Sequence, residues 1–102
     1  MNAPQVEDLH PTFKLAGELD FSSAKALTKR LHSAIGRSRA TIDLSDISFM
    51  DAGVLGCFVR LHKAMREADG DSVIHFTGVA LRFVRLFQLT KLDSIFRVNS
   101  DS

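Results

Sequence analysis

The sequence predicts an α/β domain, with a mostly parallel central sheet of four to five strands and helices packed on it. Three observations lead there. Short segments in which apolar and polar residues alternate take turns with longer segments in which apolar residues recur every three or four positions. Strands that alternate with helices in this way are the pattern of parallel sheets joined by crossover helices. The length, 102 residues, suits one domain. Residues 1–11 read as an N-terminal segment and 99–102 as a frayed tail.

The first strand is Thr12–Leu19, where Phe13, Leu15 and Gly17 alternate with Thr12, Lys14 and Ala16. A further short strand around Gln5–Leu9 is expected to pair with it. Ser22–Ile35 carries Ala24, Leu27, Leu31, Ala34 and Ile35 on one helical stripe, with Lys25, Lys29 and Arg30 between them. Asp20, Ser22 or Ser23 suits its start, and Gly36 its end. Ala40–Leu44 alternates again, and Ser45-Asp46 is expected to break it and open a polar loop.

Asp51 opens the second helix, which runs to about Ala68 with Val54, Leu55, Phe58, Leu61, His62 and Met65 as its apolar stripe. Asp69-Gly70-Asp71 is a turn. Ser72–Thr77 is a strand with little alternation, which predicts cover on both faces. Gly78 precedes a third helix, Val79–Leu89, with Ala80, Phe83, Val84 and Phe87 on one side. Ile95–Val98 ends the pattern as a strand or an extended tail.

Composition narrows the function. Thirteen basic and twelve acidic residues leave a net charge of +1, too balanced to argue for nucleic acid or an anionic membrane surface. Apolar runs are too short for a membrane span, and the N-terminal residues lack the pattern of a signal peptide. The single cysteine, Cys57, has no partner for an intrachain disulfide, which points to a reducing, cytoplasmic setting.

Chemistry-bearing patterns are scarce. His10, His32, His62 and His75 are not spaced as metal ligands, and Cys57 has no cysteine beside it. No Gly-x-Ser-x-Gly elbow is present. The pair Gly53 and Gly56 lacks the Lys-Ser/Thr of a phosphate-binding loop. No metal, cofactor or catalytic set is therefore expected. One segment stands out, Asp43 to Gly56, where a strand leads through a polar stretch into a helix whose first turn holds Ala52, Gly53 and Val54. Glycine in a helix costs up to about 1 kcal/mol relative to alanine. Asp51 is placed to cap this helix through the amide of Gly53 or Val54.

Four blocks in this order resemble the STAS domain, the fold of bacterial anti-sigma factor antagonists. They are Gly17-Glu18-Leu19-Asp20; Thr41-Ile42-Asp43-Leu44-Ser45; Phe49-Met50-Asp51 with Leu55-Gly56; and Leu89 to Phe96, where Lys91 stands at a position usually held by glycine. The resemblance covers about residues 12–98 and implies a single STAS-like domain. It also implies a non-enzymatic regulator that binds an anti-sigma factor, itself a serine kinase, and so frees a sigma factor for transcription.

In that family the kinase phosphorylates a serine at the start of the second helix, in an Asp-Ser-Ser-Gly-Leu-Gly pattern. Here the pattern is Asp51-Ala52-Gly53-Val54-Leu55-Gly56. The acceptor position is Gly53, which has no hydroxyl; Ser48 and Ser45 are the neighbouring hydroxyls. The resemblance places partner contacts at Asp20, Ser22, Ser48, Asp51, Ala52, Gly53 and Val54. A second role known for stand-alone STAS proteins, the cytoplasmic subunit of an ABC-type lipid transport system bound to its ATPase, also suits a chain without the acceptor serine.

Overall fold

The computed structural model describes residues 10–100. In chain order they form β1 (Thr12–Leu19), α1 (Ala24–Leu31), β2 (Arg39–Met50), α2 (Ala52–Ala68), β3 (Val73–Val79), α3 (Leu81–Leu89) and β4 (Arg97–Ser100). The four strands make one sheet in the order β1-β2-β3-β4, and each neighbouring pair is parallel. The expected strand at Gln5–Leu9 lies outside the described residues. Parallel neighbours taken in sequence need a crossover each, and crossovers of one hand all fall on one face.

Burial confirms two layers. Phe13 and Leu15 of β1, Ala40, Ile42 and Leu44 of β2, and Ile74 and Phe76 of β3 are buried in one core with Leu27, Leu31, Phe58, Met65, Phe83 and Phe87 of the helices. The alternate residues Thr12, Lys14, Thr41, Asp43, Val73, His75 and Thr77 are half-buried or exposed. The expectation that Ser72–Thr77 is covered on both faces is thus corrected: its apolar residues share one face, and the run looks continuous because Val73 and His75 extend it on the other. Phe58, Phe76, Phe87 and Phe96 pack ring against ring, with centroids 4.9–6.1 Å apart. His62 is half-buried beside the Phe96 ring. Burial, with Arg66 as a second cause, lowers its pKa below the usual 6.5, so the neutral ring is favoured.

Four boundaries differ from expectation; at the C-terminal one the last strand runs Arg97–Ser100 rather than Ile95–Val98, and Ser100 pairs with Val79, so Asn99 and Ser100 belong to the sheet and not to a frayed tail. Ser22–Ile35 is not one helix but a 3-10 turn (Phe21–Ser23), α1, and a second 3-10 turn (His32–Ala34), and Ile35 lies outside the core. Ser45-Asp46 does not end β2. The strand continues to Met50 because β1 keeps pairing with it, and two register shifts, at Lys14/Ala16 and Gly17/Glu18, each place one extra residue on β2. β3 pairs with β2 only as far as Asp43 and Thr77. The third helix starts at Leu81 rather than Val79, because Gly78 and Val79 prolong β3.

Two backbone positions report on sequence choice. Gly78 has φ +62, and a Cβ there would lie 2.8 Å from Ser45 Cβ and 2.9 Å from Asp43 Oδ1. Only glycine meets both conditions. Lys91 is the one non-glycine residue with positive φ (61) among the described residues, at the place where the resemblance expects glycine. We predict that Gly78→Ala destabilises the domain by about 2 kcal/mol or more, since left-handed strain alone costs roughly 1–2 kcal/mol. We predict the opposite for Lys91→Gly, a gain of about 1 kcal/mol, or several degrees in Tm for a domain of this size. Thermal unfolding followed by circular dichroism checks both.

Candidate functional site

The C-terminal ends of parallel strands gather at one edge, and here the ends of β1, β2 and β3 each turn directly into a helical segment. β1 leads through Asp20 into the 3-10 turn, β2 through Asp51 into α2, and β3 through Ala80 into α3. The amide of Asp51 donates to the carbonyl of Leu19 at 3.2 Å, which locks the first two junctions side by side. Arg82 Nη2 donates to the carbonyl of Ser48 at 3.2 Å, which ties the α3 start to the last turn of residues in β2. The guanidinium also lies 4.5 Å from the centroid of the Phe83 ring.

Both acidic residues at this edge serve as caps. Asp20 Oδ1 accepts from the Ser22 amide (2.9 Å), the Ser22 hydroxyl (2.5 Å) and the Ser23 hydroxyl (3.3 Å). The Ser23 hydroxyl in turn accepts from the Asp20 amide, completing a capping box. Asp51 Oδ1 accepts from the Val54 amide at 3.0 Å. Helix geometry leaves the first amides of α2, those of Ala52 and Gly53, without intrahelical partners, so the positive end of the α2 dipole faces outward.

The candidate residues separate clearly. Ser22, Ser48, Ala52 and Gly53 are exposed, while Asp20 and Asp51 are half-buried and engaged as caps. Val54 has no exposed surface; its side chain is part of the core. Ser45 is exposed on β2, but it abuts Gly78 of β3 rather than the α2 start. A Cβ at Gly53 would stand 3.2 Å from Asp51 Oδ1 and 4.0 Å from Phe21 Cβ. The 3-10 turn of β1 therefore touches the first turn of α2.

Sequence reading missed the apolar part of this edge. Phe21 is 79% exposed, Leu81 61% and Phe49 48%. Phe21 falls in phase with the Ala24–Leu27–Leu31 stripe, but the 3-10 turn rotates it outward. Leu81 is out of phase with the Phe83–Val84–Phe87 stripe, and that offset was the available signal. Among the described residues no three His, Cys, Asp or Glu side chains converge as a metal site, and no helix is long and apolar enough to cross a membrane. Cys57 is buried, with its Sγ 3.4 Å from Arg60 Nη2.

Phe21, Phe49 and Leu81 are thus exposed at or beside the three strand-to-helix junctions. The STAS domain family model matches residues 1–102. The chain belongs to the STAS domain family. Among its relatives, the anti-sigma-B factor antagonist of Listeria monocytogenes is 30% identical over 93 residues, covering 89% of this chain and 80% of the relative. The anti-sigma-B factor antagonist of Staphylococcus aureus is 33% identical over 88 residues, covering 84% and 80%.

Solved structures agree on the STAS fold. A candidate anti-sigma factor antagonist of Thermotoga maritima superposes with a TM-score of 0.72 at 20% identity, over 87% of this chain and 79% of that one. The anti-sigma factor antagonist SpoIIAA in its unphosphorylated form gives 0.66 at 16% identity, over 89% and 78%.

The Asp20 cap makes a testable statement. The Ser22 hydroxyl, more than any other group, holds the Asp20 carboxyl below its ordinary 3.8; desolvation works the other way and is outweighed. A folded pKa below the unfolded one means that the cap contributes fully above about pH 3.8 and is lost as pH falls through the folded value. In an NMR titration the Asp20 carboxyl carbon is expected to titrate below 3.8, with the Ser22 amide following the same curve. Ser22→Ala moves that midpoint upward.

Proposed function

We propose that this STAS domain is an anti-sigma factor antagonist, which acts by binding rather than catalysis. It docks the edge built from Ser22, Ser48, Ala52 and Gly53, framed by the Asp20 and Asp51 caps, onto an anti-sigma factor in the cytoplasm. Occupied in this way, the anti-sigma factor releases its sigma factor for transcription. The observation that carries the reading is the exposure of Phe21, Phe49 and Leu81 at or beside the strand-to-helix junctions, in a chain whose relatives are anti-sigma-B factor antagonists. Val54, buried in the core, supports the surface without touching a partner.

The partner class we infer is an anti-sigma factor that is also a serine kinase. Position 53 then has a direct consequence. A phosphate there would add roughly −1.5 to −2 charge to the docking edge, next to the Asp51 carboxylate. Glycine accepts no phosphate, so the chain binds in one state only, and any residual control falls to another hydroxyl such as Ser48.

Two measurements test this. A tagged copy expressed in its native host is expected to co-purify with a kinase-type anti-sigma factor. Recovery of an ABC-type ATPase with membrane subunits instead would overturn the reading. With the partner in hand, Gly53→Glu is expected to weaken binding at least about tenfold, because a carboxylate at this edge costs desolvation and repulsion like those of a phosphate. Its Tm should stay within a few degrees of the parent's, since position 53 is exposed and a Cβ there, 3.2 Å from Asp51 Oδ1, asks the capping side chain to move by only a few tenths of an ångström. Unchanged affinity would remove Gly53 from the interface.

A further inference from the structure

The helices cover one face of the sheet, and the open face carries a cluster that the docking edge does not use. Arg39 of β2, Val73 and His75 of β3 and Arg97 of β4 line a depression of about 240 Å³. Register explains the grouping. Arg39 is paired with Val73, and His75 with Arg97, and residues two apart on a strand share a face. Two guanidiniums and an imidazole thus surround the side chain of Val73.

The positive charge is uncompensated there among the described residues. Arg30, Arg60, Arg66 and Arg82 each donate to a protein atom, whereas the guanidiniums of Arg39 and Arg97 have no described partner. Asp43, on the same face, is about 13 Å along the strand from Arg39; it stands opposite Thr77, two residues past His75, and its carboxylate accepts from the Ser45 amide. Asp46 is engaged by Lys14 at 3.4 Å. The imidazole is also oriented. His75 Nε2 is hydrogen-bonded to the Asn99 side chain, which holds the ring in place. The Asn99 amide group adds two donors beside it.

We propose that this depression binds a small phosphate-bearing ligand, a phosphate monoester or pyrophosphate, with Arg39 and Arg97 as its two forks. A planar carboxylate satisfies one guanidinium fork. The two arginines stand on either side of β3 and two residues apart in register, roughly 12 Å apart at their backbones, and a tetrahedral dianion offers oxygens to both. The depression is smaller than the roughly 300–1,000 Å³ of pockets for drug-sized ligands, so the phosphate group and a short organic part fill it.

The test is an NMR titration of the full chain with pyrophosphate and with ribose 5-phosphate at low salt. Saturable shifts are expected at Arg39, Val73, His75, Arg97 and Asn99. Arg39→Gln and Arg97→Gln are each expected to weaken binding at least fivefold, and Arg85→Gln, on the exposed face of α3, to leave it unchanged. All three positions are exposed, so the variants should keep the parent's circular dichroism spectrum. Shifts that do not saturate or map elsewhere overturn the site, and so does equal weakening by Arg85→Gln. A parallel sedimentation with phosphatidic acid vesicles separates the sources: binding to vesicles without binding of the soluble phosphates also overturns the proposal.

Discussion

Parallel pairing of every neighbouring strand is the constraint on which this domain depends. A parallel ladder cannot be closed by a tight turn, so each strand must return through a crossover. Because the strands follow one another across the sheet without reversal, the crossovers stack on one face. That single choice places the core, leaves the other face open, and brings all the strand-to-helix junctions to one edge. The junctions are where function is expected, because there the backbone turns out of the ladder and side chains meet solvent.

The edge is then made rigid by short-range chemistry. Asp20 and Asp51 are both caps, and the backbone bond from Asp51 to Leu19 joins their turns. Capping fixes the exposed groups around it without contributing its own carboxylates as free contacts. The result is a preset surface of Phe21, Phe49, Leu81 and the bare first turn of α2. Ordering such apolar groups in advance reduces what a partner must immobilise on binding. On the proposed reading a charge at position 53 would act as a block, since the neighbouring Asp51 side chain is committed to Val54 and cannot turn away.

Much of this was legible in the sequence, and the failures are instructive. The alternation in Thr12–Leu19 and the long stripe of α2 gave strand and helix because each has one buried face. The block from Phe49 to Gly56 spans the junction of β2 and α2, and the departure at Lys91 falls on a left-handed residue. Ser45-Asp46 misled because polar residues end a strand only when no neighbour pairs with it, and β1 pairs with β2 to Met50. Val54 misled because nearness to the motif was read as exposure, although the helix turns its side chain inward. Phe21 and Leu81 escaped notice because periodicity reports which residues can be buried, not which apolar residues the fold leaves outside.

The two surfaces described here use the same strands at different points. The docking edge lies where β1, β2 and β3 end, and the basic depression lies at Arg39, the first residue of β2, and at the start of β3. Arg39 and Met50 are the two ends of one strand of twelve residues, roughly 35–40 Å of extended chain. Direct contact between occupants of the two ends is therefore excluded for small ligands, and Coulomb effects over several Debye lengths are screened at physiological salt. Any influence of one on the other would have to pass through β2 itself. Two register shifts lie in the half of β2 that leads to the docking edge, beyond the last residue paired with β3. Within the sheet that half is paired with β1 alone, and outside the ladder it is held by the bond from Arg82 to the Ser48 carbonyl.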